Sequence, residues 1–525
     1  MLEYSKCYNR YLPSEKELAA QGKTVFPYMP LISIVVPAYE TPKKYLTELL
    51  DSVKRQSYSN WELCIADGSK TDAVEQTVAE YAAEDARIGY QRLTQNGGIS
   101  ENTNSGCKMA HGEYIALMDH DDILSANALY EMVKCLNDSY SKEERIFALI
   151  YSDEDKVNGD GTVHSRPHFK PDFNLEFLRH NNYFCHFLMF SSGLFQKTGG
   201  LDREFDGAQD YDFVLRCVDA KAVVRHVPKI LYHWRIHEGS TAGNSEDKAY
   251  AFDNGCRAIE AHLKRRGEEG RAEVTANLGV YHVQYKLKGK YRITVFCEEE
   301  AQLRAIRQYY GTLSFEKKEY SLQIQYKKAG SFFGGIEKAC MGDYILYIQK
   351  GIEVKPQKLI EILLGSCQHK CTAAAGVKML TQKKRVASCG YAYDENGRMI
   401  PLNSNIPAEY KGYFLHAVIP KNVSILSFGC VMFRRDALET AGEFDTDLTG
   451  IYRAADYCFR LSEHGYQIVV IPELTAVQSG GEGKKETLPS QLFYERWKQK
   501  FLNPDPCYNS NLSLEINHTY AMKEK

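Results

Sequence analysis

Three aspartates within four positions, Asp119, Asp121 and Asp122, follow directly on a short apolar run at residues 114–118. Carboxylates this close repel one another unless a cation lies among them, and carboxylate oxygen is a donor that Mg²⁺ and Mn²⁺ prefer. The apolar run has the length of a buried strand. In an open parallel sheet, ligands bind beyond the carboxyl ends of the strands. The stretch therefore reads as a strand that delivers acids to a metal–phosphate site. A second reading covers part of it: Ser125 caps a helix with the apolar stripe Ala128, Leu129, Met132, Val133 and Leu136, and the acids favour its N-terminus. That reading accounts for Asp122 but not for Asp119 and Asp121.

The elements that would position these acids lie upstream. Leu31-Ile32-Ser33-Ile34-Val35-Val36 predicts a strand, followed by the loop Pro37-Ala38-Tyr39-Glu40. Thr41 and Pro42 have the form of an N-cap and a first helical residue, and Leu46, Leu49, Leu50 and Val53 supply a helical stripe. A second strand at 61–66 ends in Asp67-Gly68-Ser69, and a helix is expected near 72–83. A strand near 88–93 leads into Asn96-Gly97-Gly98-Ile99-Ser100 and a short helix carrying Asn102, Asn104 and Met109. Such alternation argues for a parallel α/β sheet. Right-handed crossovers then gather the four polar loops on one edge, where a nucleotide would fit.

As an ordered set, Pro-Ala-Tyr-Glu after the first strand, Cys64-Ile65-Ala66-Asp67-Gly68-Ser69, the Asn96-Gly97-Gly98 loop and Asp119-His120-Asp121-Asp122 resemble family 2 glycosyltransferases of the GT-A fold. Tyr151-Ser152-Asp153-Glu154-Asp155-Lys156, Pro167-His168-Phe169-Lys170-Pro171-Asp172, Gly199-Gly200-Leu201-Asp202, Gly207-Ala208-Gln209-Asp210-Tyr211-Asp212 and Tyr232-His233-Trp234-Arg235-Ile236-His237 extend the likeness to bacterial polysaccharide and rhamnan-type members. The resemblance spans about residues 31–265 and implies a Rossmann-like, mostly parallel sheet with flanking helices. It implies that Pro37, Ala38, Tyr39, Glu40, Asp67, Gly98, Asn102, Asp119 and His120 line the nucleotide. Asp121 and His237 would hold Mn²⁺ or Mg²⁺, and Asp210 would be the catalytic base. His233, Arg235, Asp153 and His186 are the further candidates for diphosphate or acceptor contact. One departure is the single Asp before Gly68, where many members have two.

Glycosyl transfer needs stabilisation of the leaving diphosphate, a carboxylate beside the acceptor hydroxyl and an anomeric carbon held in line between them. Asp121 and Asp210 suit the first two needs, so the expected reaction is an inverting single displacement. Structural readings stand beside these roles. Asp210, near a helix start, could be a capping acid. His237 could be an ordinary loop histidine and His186 a satisfied core histidine. His233 and Arg235 alternate on a strand and could simply share one exposed face, as could Asp153 and Asp155.

The pattern returns downstream. Gly342 and Tyr344 to Ile348 parallel Gly112 and Tyr114 to Met118, and Met432-Phe433 parallels Met189-Phe190. Asp456 and Arg460 parallel Asp212 and Arg216. The chemistry is missing from this copy: Gln349-Lys350-Gly351 stands where Asp119-His120-Asp121 stands in the first, and Ala454 stands for Asp210. A lysine there repels Mg²⁺. The expected organisation is an N-terminal arm (1–30), a catalytic GT-A domain (31–265), a connector (266–290), a degenerate GT-A-like domain (291–482) and a C-terminal helix and tail (483–525).

With 525 residues, 44% hydrophobic and 25% charged, and a formal net charge of −3, the chain is ordinary for a globular protein and offers no basic surface for nucleic acid. Fifteen scattered cysteines and a polar start suit a reducing cytoplasm, with the inner face of the cell membrane as a further location. No apolar run of ~20 residues predicts a membrane span. The expected partners are a nucleotide-sugar donor, UDP- or dTDP-linked by resemblance, a glycan or lipid-linked acceptor in surface polysaccharide synthesis, and other polysaccharide-assembly proteins. The alternatives are a two-site polysaccharide polymerase, a non-catalytic carbohydrate-binding scaffold and a nucleotidyltransferase.

Overall fold

A computed structural model describes residues 2–237, 249–312, 314–328, 342–479, 489–516 and 519–523. Nine strands form the first sheet: β1 (Ile32–Ala38), β2 (Trp61–Asp67), β3 (Ile88–Arg92), β4 (Tyr114–Leu117), β5 (Ile123–Leu124), β6 (Ala148–Asn158), β7 (His164–His168), β8 (Leu188–Ser191) and β9 (Val223–Ile236). Helices α1 (Leu2–Cys7) and α2 (Glu15–Gln21) precede it. Interleaved with the strands are α3 (Lys43–Lys54), α4 (Ala73–Ala82), α5 (Ile99–Met109), α6 (Ala128–Ser139), α7 (Leu175–His180), α8 (Ser192–Thr198) and α9 (Gln209–Asp219); α10 (Ala249–Arg265) follows.

The strand order is β3-β2-β1-β4-β8-β6-β9-β5, with β7 on β6. β3, β2, β1 and β4 are parallel neighbours. β8 runs antiparallel to both β4 and β6, so the expected α/β sheet with flanking helices is mixed rather than mostly parallel. All seven residues of β1 are buried because helices cover both faces of the sheet. Ile32, Ile34 and Val36 join a core containing Leu46, Leu49, Leu50 and Val53 of α3 and the expected stripe of α6. Val35 faces the opposite core. Two helix starts differ from expectation. The N-cap of α3 is Pro42, and the Thr41 hydroxyl lies 2.8 Å from His120 Nδ1 instead. The N-cap of α6 is Asn127, because the Ser125 amide is drawn to the Leu231 carbonyl of β9.

The connector holds a hairpin, β10 (Gly270–Val274) and β11 (Tyr281–Tyr285). A second sheet follows, built from β12 (Gly289–Cys297), β13 (Ser314–Glu316), β14 (Tyr320–Lys328), β15 (Tyr344–Ile348), β16 (Ile352–Val354), β17 (Thr372–Thr381) and β18 (Val386–Ser388). After the small ribbon β19 (Tyr391–Tyr393) and β20 (Met399–Pro401) it is completed by β21 (Lys421–Asn422), β22 (Cys430–Arg434) and β23 (Gln467–Gln478). Its helices are α11 (Glu300–Tyr310), α12 (Leu359–Cys367), α13 (Arg435–Ala441) and α14 (Gly450–Glu463), with α15 (Gln491–Phe501) behind them. The order β14-β12-β15-β22-β17-β23-β16 repeats β2-β1-β4-β8-β6-β9-β5 strand for strand.

The register repeats too. Tyr114 pairs with Ile32 and Ser191; Tyr344, its counterpart, pairs with Ile293 and Arg434. In α9, Asp212 Oδ2 accepts from Arg216 Nε (2.7 Å), and Arg216 reaches the Thr198 carbonyl; Asp456, Arg460 and the Ala441 carbonyl form the same set in α14. The boundary between the second unit and the tail, near 482, lies outside the described residues. No described helix is long and apolar enough to cross a membrane, and the 14 described cysteines are free thiols.

Candidate active site

The cleft lies where the chain leaves β1, β2 and β4. Pro37 and Ala38 are buried in β1, while Tyr39 beyond them keeps 40% of its surface exposed. Glu40 is turned by a positive φ of 48°. Its amide donates to Ser69 Oγ (2.7 Å), and its carboxylate accepts from the Lys70 amide (2.7 Å) and Thr71 Oγ1 (2.7 Å). These bonds hold its carboxyl below the usual range. Glu40 therefore ties the first loop to the second. Asp67 is buried, accepting from the Ser69 amide and the Tyr90 hydroxyl (both 2.8 Å). Asn102 braces the third loop, giving its Nδ2 to Asn96 Oδ1 and taking the Gly97 amide. Gly98, at a φ of 91°, opens α5 where an L side chain would be strained.

The acids occupy the centre. Asp119 is half open to the cleft, with 46% side-chain exposure, yet the dense walls around it push its carboxyl up to about 7, and repulsion from Asp121 and Asp210 adds to the effect. Asp121 Oδ2 lies 2.7 Å from His237 Nε2. Asp122 is fully buried, accepting from the Tyr232 hydroxyl (2.6 Å) and the Arg235 amide (2.7 Å), and burial raises it well above the ordinary range. Asp122 is thus a brace within the loop rather than a helix-favouring surface acid. The Tyr232 hydroxyl also accepts the Asp119 amide at 3.1 Å. His120 stands beside Asp121, its imidazole lowered by burial.

His186 closes another side, 3.6 Å from Asp119 Oδ2 and stacked on Tyr232. Burial lowers its imidazole to about 4, so it is neutral near pH 7. Its backbone is gripped from behind: the buried Lys170 Nζ donates to its carbonyl (2.6 Å), and Glu154 accepts its amide (3.1 Å). Asp210 lies in the first turn of α9. The N-cap there is Ala208, so Asp210 does not cap the helix. Its Oδ2 accepts from Asn182 Nδ2 at 2.8 Å, and burial raises its carboxyl.

Three candidates lie elsewhere than their alternation suggested. His233 is buried, with Nδ1 2.7 Å from Asp155 and Tyr8 of the N-terminal arm over its other nitrogen. Asp153 is buried between His226 and Asn509 of the C-terminal tail. Arm and tail cover this side of β6 and β9, so what reads as an exposed face is interior, and neither residue is placed to contact diphosphate or acceptor. Arg235 is also fully buried. It donates to the Asp121 carbonyl (2.6 Å) and pairs with Glu48, which fixes the acidic loop from beneath. Sequence reasoning passed over Asn182 and Tyr232. Tyr232 stands inside a noted motif, but Asn182 carries no spacing signal.

The donor set fits a divalent cation. Asp121 pairs with His237 and Asp119 lies beside His186, so the loop offers carboxylate oxygen and imidazole nitrogen. Among the described residues, Asp119, Asp122 and His186 bring ligand atoms within 4.8 Å of one another. A second such group, Asp155, His164 and His233, is buried under the arm and engaged in mutual hydrogen bonds.

The family profile described as Glycosyl transferase family 2 matches residues 33–199, from β1 to just past α8. The protein is 29% identical to the uncharacterized protein y4gI of Sinorhizobium fredii over 93% of this chain and 58% of that one. It is 25% identical to the O-antigen biosynthesis protein RfbC of Myxococcus xanthus over 92% of this chain and 40% of that one. The chain thus spans about half the length of the curated relatives it matches. Against the crystal structure of S. aureus TarS 1–349 in complex with UDP-GlcNAc, the TM-score is 0.36 at 19% identity, covering 44% of this chain and 66% of that one. The chain carries a glycosyl transferase family 2 domain, and the matched stretch includes the β4 loop and its acids.

Proposed function

We propose that the protein is a metal-dependent, inverting glycosyltransferase. It moves a sugar from a UDP- or dTDP-linked donor to a hydroxyl of a glycan or lipid-linked acceptor during surface polysaccharide synthesis. The catalytic domain is 31–265, and the 291–482 domain lacks metal-dependent transfer. What supports this reading is the acidic loop after β4, where Asp121 lies 2.7 Å from His237 and Asp119 3.6 Å from His186, with Asp210 braced by Asn182 at the start of α9. The family match and the relative named for O-antigen biosynthesis support it.

Asp121 and His237 would hold Mn²⁺ or Mg²⁺, with Asp119 beside them. A bound cation supplies positive charge against the leaving diphosphate. Tyr39 and the loops tied by Glu40 and Asn102 shape the nucleotide pocket. Asp210 takes the proton from the acceptor hydroxyl; a carboxyl raised by burial is a stronger base than one in water. His186, neutral near pH 7, offers a hydrogen bond without adding charge.

The test is turnover of a panel of nucleotide sugars with Mn²⁺ or Mg²⁺, with and without chelator. Asp121→Ala and Asp210→Asn should each lower transfer by roughly 10²–10⁴-fold. Only Asp121→Ala should also lose the cation-dependent thermal stabilisation by donor. Full transfer by either variant would remove the reading.

A further inference from the structure

The side chain that holds Asp210 raises a question of its own. Asn182 donates its Nδ2 to Asp210 Oδ2 at 2.8 Å, while its Oδ1 is buried with no hydrogen-bond partner among the described residues. A buried acceptor left unpaired works against folding. The amide is therefore poorly explained by stability and well explained by what it does to Asp210.

Asn182 lies two residues beyond the end of α7, and one side of α7 is fastened to the other half of the molecule, while Tyr211, His262 and Tyr285 hold it elsewhere. Its N-cap, Asn174, accepts the Phe177 amide (3.0 Å) in the usual way. The same side chain also accepts the Asn422 amide (2.9 Å) and donates to the Asn422 carbonyl (2.9 Å). Asn422 Oδ1 accepts in turn from the Glu176 amide at 3.1 Å. Asn422 lies in β21, paired to β23 of the second sheet. From the same unit the His416 ring stacks on Phe177 at 4.6 Å. A short helix of the first unit is thus fastened by three polar bonds and a ring contact to the second.

We propose that the second, acid-free unit acts as a clamp on the catalytic base: Asn422 fixes α7 through Asn174, and α7 fixes Asn182, a positioning residue that sets the orientation of Asp210. The proposal rests on the assignment of Asp210 as base. It gives the second copy a task that needs neither metal nor donor. The bond to Oδ2 restrains the carboxylate together with the backbone amides at the start of α9.

The experiment uses the 525-residue chain with donor and acceptor each varied up to saturation. Asn182→Ala should lower kcat by about 10- to 100-fold, in line with the cost of misplacing a reacting group, with donor KM unchanged. Its melting temperature should not fall. The acid limb of its kcat/KM profile should move to higher pH, because a donor to the carboxylate is lost. Asn174→Ser keeps a cap for Phe177 but loses the bond to the Asn422 carbonyl, and Asn422→Ala loses the bond to Glu176. Each should lower kcat about threefold or more, and neither should lower it further in an Asn182→Ala background. Wild-type kcat and pH profile in Asn182→Ala would overturn the proposal, as would clamp effects that multiply with it. Full activity in Asp210→Asn would instead remove the base assignment, so the two failures are distinguishable.

Discussion

At the scale of single residues, the acidic loop depends on a side chain that bears no charge. The Tyr232 hydroxyl is bonded to the buried carboxylate of Asp122 and to the backbone amide of Asp119, so one phenol organises two of the three acids. Removing it leaves Asp122 with a single backbone donor. Tyr232→Phe should destabilise the fold by about 1–3 kcal/mol, the usual range for orphaning a buried acceptor. It should also weaken Mn²⁺ binding by about 10–100-fold, as loss of a bond behind a metal ligand does. Urea unfolding and Mn²⁺ titration by calorimetry check the two effects, and unchanged Mn²⁺ affinity would mean that the loop holds its shape without the phenol. Asp119 and Asp121 stand out in the sequence as crowded acids at a strand end, and Asp210 through the family resemblance. Tyr232 and Asn182 do not, because each acts on a carboxylate 110 and 28 positions away that no local period connects to it.

At the scale of elements, the duplication is written in close contacts. Gly112 precedes β4, and its amide donates to Ser33 Oγ (2.8 Å); Gly342 precedes β15 and donates to Thr294 Oγ1 (3.1 Å). A Cβ on Gly112 would stand 2.7 Å from the Leu31 carbonyl and 2.8 Å from the Ser33 amide, and one on Gly342 would stand 2.7 Å from the Thr294 amide. The obstacles are backbone atoms of a central strand, which cannot move aside. Gly112→Ala should therefore cost about 1–3 kcal/mol, as overpacking does, and should lower transfer because β4 carries the acids. Gly342→Ala should cost a similar amount in denaturant titrations. If either substitution is neutral, these contacts are not the reason for glycine. The repeated run before each strand was legible because it must fit the same niche. The antiparallel direction of β8 was not, since a buried apolar strand reads alike in both directions.

At the scale of the molecule, the C-terminal tail joins the two units. Asp505 is buried against the second, accepting from Ser424 Oγ (2.6 Å) and from the amides of Cys507 (2.8 Å) and Tyr393 (3.1 Å). A few residues on, the Pro506 carbonyl takes the Asp172 amide, and Asn509 Nδ2 donates to Asp153 and to the Lys170 carbonyl in the first unit. Burial pushes the Asp505 carboxyl up to about 6 although these bonds pull it down. The folded state then holds a proton that the unfolded chain releases near pH 4. The contribution is complete below that pH and is lost as pH rises towards 6, with a size of about 2–3 kcal/mol. Asp505→Asn cannot titrate. It forfeits one bond at every pH, because its amide nitrogen must face a donor. The stability gap between wild type and Asp505→Asn, from urea unfolding at constant ionic strength, should therefore be widest near pH 4 and narrow by about 2–3 kcal/mol by pH 7. Other carboxylates shift both proteins equally and cancel in the difference. Parallel curves for the two proteins would mean that Asp505 is ionised in the folded state throughout, and that its hydrogen bonds outweigh its burial.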